Sequence, residues 1–135
     1  MNKKIQRHYL EINSLSDLKD TSFSPNGYLI QLVQPVDFQL NKFFYKNVGK
    51  KHHWVDRLVW TDNQWIEYTS NTKVNTYVLK KDDDLAGYFE LITHKNKNEV
   101  EIAYLGLLEE YQNKQLGSFL LSSAIKNSFL NNSQR

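Results

Sequence analysis

With 135 residues, 40% hydrophobic and 24% charged, the chain is sized for one globular domain and too apolar for a disordered segment. A net charge of only +2 excludes the basic footprint that nucleic acid demands, and no nucleic-acid partner is expected. The absence of Cys excludes a disulfide framework and a thiol nucleophile, and His8, His52, His53 and His94 fall in no zinc-like spacing, so no metal is expected.

Met1 to Arg7 is basic but lacks the apolar stretch of a signal peptide. No apolar run approaches the ~20 residues of a membrane span. The cytoplasm is therefore the expected compartment, with no membrane partner. Tyr9 to Ile12 reads as a short extended start, and Ser22 to Gly27 as a turn through Pro25, Asn26 and Gly27. Tyr28 to Val33 reads as a strand that Pro35 ends. Asp37 is an N-cap for a helix to about Val48, with Leu40, Phe43, Phe44 and Asn47 at helical spacing and Gly49 as its stop. Thr61 or Asp62 caps a short helix through Tyr68. Val74 to Lys80 and Leu85 to Thr93 alternate as strands about the Asp82-Asp83-Asp84 turn. A second turn, Lys95 to Asn98, leads to a last strand, Glu99 to Leu108. The polar stretch Gln112 to Ser118 then opens an apolar helix to about Leu130. There is no internal repeat and no low-complexity linker.

A strand, a tight polar turn and a helix N-terminus together form an anion site. The first helical N–H groups have no intrahelical partner, and the helix dipole adds partial positive charge. Backbone donors from Asn113 to Ser118 suit phosphate oxygens, and Lys114 brings a charge. The stretch Gln112-Asn113-Lys114-Gln115-Leu116-Gly117-Ser118 resembles the acyl-CoA segment of the GNAT superfamily of N-acetyltransferases, Gln/Arg-x-x-Gly-x-Gly/Ala. Gln112 and Gly117 match it, and Gln115 stands where the first Gly is expected. Gly87-Tyr88-Phe89-Glu90-Leu91 and Glu101-Ile102-Ala103-Tyr104 lead into the turn in the order that superfamily shows, so the resemblance covers most of the chain.

The resemblance implies a single α+β domain over residues 1–135, with a mixed, mostly antiparallel sheet flanked by helices. It implies acetyl-CoA as co-substrate and a small-molecule or peptide amine as acceptor. The pantetheine arm would lie along Leu105, Gly106, Leu107 and Leu108, with the pyrophosphate at Gln112 to Ser118. Glu101, sixteen residues before Gly117, matches the base of histone-type members. By strand alternation it shares a face with Ala103, Leu105 and Leu107, and an apolar setting tunes a carboxylate for proton transfer. Glu90, sharing a face with Tyr88 and Ile92, is the rival base. Either Glu is alternatively a solvent-facing residue or a partner for Arg57 or a Lys.

The stretch from His52 to Trp60 falls where such folds roof the acceptor site. Trp54, Trp60 and Trp65 suit an apolar wall or a cation–π platform, and Asp56 suits an ammonium. The plainer alternative puts the Trp residues in the core and makes Asp56 and Arg57 a surface pair worth little. The superfamily continues with a further strand, a helix whose Tyr protonates the leaving thiolate, and a closing hairpin. None of these has a counterpart before Arg135, so the reading is of a domain shortened at its C-terminus. The open edge of the last strand and the uncovered side of the final helix then predict a homodimer. The rival functions are a CoA- or ligand-binding module without catalysis, and an interaction domain.

Overall fold

The computed structural model describes residues 27–97, 99–112 and 114–133. The expected extended start at Tyr9 to Ile12, most of the first turn and Asn98 lie outside the described residues. The elements are β1 (Tyr28–Leu32), α1 (Phe38–His52), α2 (Asp62–Ser70), β2 (Val74–Lys81), β3 (Asp84–His94), β4 (Glu99–Leu107) and α3 (Lys114–Ser133). The four strands form one antiparallel sheet in the order β1-β2-β3-β4. Consecutive strands are neighbours, so short turns suffice, and Asp82 in the β2–β3 turn takes a left-handed φ of 55°.

Helix starts follow local chemistry. Asp37 Oδ1 accepts from Gln39 N–H at the start of α1. Thr61 opens α2 with a capping box: its Oγ1 accepts from Gln64 N–H, and Gln64 Oε1 accepts from Thr61 N–H. Gly49 does not stop α1, contrary to expectation. The helix runs one further turn, to a left-handed His53 at φ 58°. Gly49 serves packing instead. A Cβ there would lie 2.8 Å from the Trp54 side chain, so only Gly lets the chain fold back against the helix.

The sheet is covered on both faces. On one, Leu116, Leu120 and Ala124 of α3, at i, i+4 and i+8, pack on Tyr77, Leu79, Phe89, Leu91 and Leu107. On the other, Phe44 and Val48 of α1 pack on Val78, Tyr88 and Leu108, and the Phe44 and Tyr88 rings stack at 4.7 Å. The approach is closest at Gly106, where a Cβ would clash with Val48 Cγ1. Beneath α2 the same face becomes polar, and there the candidate site begins.

Among the described residues no helix is long and apolar enough to cross a membrane.

Candidate functional site

Four features converge on β4. The first is its outer edge. Among the described residues β4 pairs only with β3. Leu108 N–H donates inward to Ala86 O, so by alternation the backbone of Leu107 points outward. Accordingly the Leu107 carbonyl takes a 3.4 Å contact from the Gln112 side-chain amide. The Leu107 and Leu108 side chains are buried on opposite faces of the sheet, leaving only backbone to present at the edge.

The second is a β-bulge. Glu90 pairs with Tyr104 and Leu91 with Ile102, which leaves Ala103 as the extra residue of β4. The bulge shifts parity. Val100 and Ile102 pack towards α3, and so do Leu105 and Leu107, whereas Tyr104 packs towards α1. Glu101 therefore does not share a face with Leu105 and Leu107, as unbroken alternation predicts. It lies on the α1 and α2 side with Tyr104, half-buried, 2.9 Å from His94 Nε2.

The third is the start of α3, reached from β4 through a short 3-10 turn at Glu109–Tyr111. Gln115 and Ser118 are exposed, Leu116 is a core residue, and Gly117 is half-buried in the first turn. A Cβ on Gly117 would meet no described atom within 4 Å. Asn113 and the Lys114 side chain lie outside the described residues. A helix N-terminus with room at Gly117, beside a strand edge unpaired among the described residues, fits a phosphate-bearing chain such as CoA.

The fourth is a buried charged cluster. The sequence leaves Arg57 either as a surface partner of Asp56 or as a partner of Glu90 or Glu101. Arg57 is 6% exposed, and its Nη1 donates to Glu90 Oε1 at 2.9 Å. Glu90 is fully buried. Its Oε1 also accepts from Tyr68 O–H at 2.6 Å, and its Oε2 accepts from Asn41 Nδ2 at 2.8 Å. Five rings surround the Arg57 guanidinium. Tyr68 lies 4.1 Å away, Tyr104 4.3 Å, Trp60 4.8 Å, Trp65 5.6 Å and Tyr45 5.7 Å. Arg57 N–H also donates to the Tyr45 hydroxyl. This cluster pins the segment between α1 and α2 to the sheet, and in doing so it fixes the Tyr104 ring beside the bulge. Trp54 is half-buried against that ring at 4.6 Å and stacks on His52 at 5.6 Å, while Asp56 is exposed. Trp65 is core.

Burial opposes the charge on Arg57, but the Glu90 carboxylate and Tyr68 together more than offset this and hold the guanidinium above its ordinary range. Burial, reinforced by Glu90, raises the Tyr68 hydroxyl well above its usual value. Burial also pushes Tyr104 to about 12, against an opposing pull from Arg57. Unfolded tyrosines ionise near pH 10. Above that pH the folded chain retains protons that the unfolded chain has lost, so stability falls as pH rises. The urea midpoint is expected to drop from about pH 10 towards 12. Tyr68→Phe should make that drop shallower, and an unchanged slope would remove Tyr68 from this effect.

Comparison with known proteins agrees with this geometry. The family model described as Acetyltransferase (GNAT) family matches residues 37–134, and the chain belongs to that family. The fold is similar to that of a solved aminoglycoside acetyltransferase from an uncultured soil metagenomic sample, in complex with trehalose. The TM-score is 0.62 at 9% identity, over 78% of this chain and 72% of that one. No curated protein sequence matches the chain.

Proposed function

We propose that this chain transfers an acetyl group from acetyl-CoA to an amine. The observations that support this best are the outer edge of β4, which has no strand partner among the described residues, and the space at Gly117, where a Cβ would meet no described atom within 4 Å. Backbone N–H groups of the first turn of α3 take the pyrophosphate, and the Leu105–Leu108 edge takes the amides of the pantetheine arm. This runs the arm back towards the bulge, where the thioester meets the face carrying Trp54, Tyr104 and Glu101. Trp54 and Tyr104 supply an aromatic wall, and Asp56 supplies charge for an ammonium at its rim. Glu101 is preferred to Glu90 for proton chemistry. Both Glu90 oxygens are already engaged and none of its surface is exposed. A group that takes part in proton transfer, directly or through the side chain it orients, has to be reachable from the substrate side.

The test couples CoA calorimetry to thiol release over a panel of simple alkylamines, a peptide N-terminus and an aminoglycoside. The expected result is saturable CoA binding together with amine-dependent thiol release. CoA binding without turnover on any amine would favour a non-catalytic binding module. No CoA binding would sink both readings.

A further inference from the structure

His94 and Glu101 flank the β3–β4 turn on the face that carries α1 and α2. Their side chains are 35% and 31% exposed, so solvent and a substrate can both reach them. His94 Nε2 lies 2.9 Å from Glu101 Oε1, a contact that selects between the two tautomers of the neutral ring. An ionised carboxylate only accepts, so Nε2 carries the hydrogen and Nδ1 keeps its lone pair. A carboxylate that orients a neutral imidazole from behind is the arrangement of an activated base. Glu101 is two residues from the bulge at Ala103, and Tyr104 follows on the same face. The dyad therefore stands beside the point where the proposed thioester ends.

We propose that His94 is the base that deprotonates the acceptor, and that Glu101 is its positioning residue. This rests on the acetyltransferase reading above. An alkylammonium at neutral pH has no lone pair and cannot attack. Glu101 Oε1 is already engaged by His94 Nε2, whereas a lone pair on Nδ1 is placed to take the proton. One proton passes from the R–NH3+ group to His94 Nδ1, and Glu101 stabilises the imidazolium. The freed nitrogen lone pair bonds to the thioester carbonyl carbon, and the C–S bond breaks with its electrons going to sulfur. The surplus proton on nitrogen goes to that sulfur, giving CoA thiol and the amide. His94 returns its proton to solvent.

The experiment uses the full chain with acetyl-CoA and an amine from the panel above. His94→Ala is expected to lower kcat at pH 7 by ~10²-fold or more. CoA affinity by calorimetry should hardly change. Added imidazole should restore part of kcat, which a purely structural role for His94 would not allow. Glu101→Gln should cost less than His94→Ala, because its amide oxygen still accepts from Nε2–H. A His94→Ala rate within about threefold of wild type would overturn the proposal. So would a larger loss in Glu101→Gln with no imidazole effect, since Glu101 itself would then be the base. Nitrogen-15 NMR of the His94 ring decides independently of turnover. The Nε2–H tautomer is expected, and an Nδ1–H tautomer would overturn the proposal even if every amine proved inert.

Discussion

Glu90→Gln is expected to destabilise the fold by about 3–5 kcal/mol, the usual cost of stranding one member of a buried ion pair. The substitution keeps the shape but leaves the Arg57 guanidinium without a countercharge among five aromatic rings. It also brings an amide N–H2 into a position that now receives donors from Arg57, Tyr68 and Asn41. Unfolding free energies of domains run at about 5–15 kcal/mol, so this is a large share. Chemical denaturation measures it. The double substitution Arg57→Met with Glu90→Leu should recover much of the loss, because it removes both charges and keeps apolar volume. A single-site cost below about 1 kcal/mol would mean that water reaches the pair and that the aromatic shell does not isolate it.

That cluster also marks where the sequence stops being readable. Local signals were sufficient for the elements. Asp37 and the Thr61–Gln64 pair announce helix starts through their own backbone geometry. The acidic turn between β2 and β3 announces a hairpin. The polar turn before α3 announces a helix start. Each of these acts over a few residues. Arg57 and Glu90 meet across 33 positions, and nothing in either neighbourhood specifies the meeting. The sequence offered Arg57 two partners, Asp56 beside it and a Glu on β3 or β4, and only the fold decides between them, since adjacent residues in an irregular segment need not point the same way.

Gly49 shows the same limit differently. A Gly near a helix end ordinarily signals a stop, yet here its missing side chain makes room for Trp54. The bulge at Ala103 is the most consequential case. One extra residue inverts the faces of β4, so every inference by alternation across it changes sign, that for Glu101 included. Its partnership with His94 was within reach of the sequence, because the two residues flank one predicted turn, but only with the register known.

Gly117 offers the sharpest separation of fold from function. It sits in the first turn of α3, where Ala is favoured over Gly by about 1 kcal/mol. Its φ is not in the left-handed region, which among the glycines only Gly27 occupies, and a Cβ would meet no described atom within 4 Å. Neither strain nor packing against the described residues requires Gly here, and a phosphate bound at this turn would give a reason for it. Gly117→Ala is expected to raise stability by about 0.5–1 kcal/mol while weakening CoA. Gly117→Glu should leave the fold intact, since an acid in the first turn suits the helix dipole. It should nevertheless lower CoA affinity on the order of 10³-fold, because a carboxylate against a phosphate costs several kcal/mol. Calorimetry against CoA, beside thermal melts of the same proteins, reads both effects. If Gly117→Glu bound CoA as tightly as wild type, the pyrophosphate would have to lie elsewhere, and the placing of the arm along the β4 edge would lose its anchor.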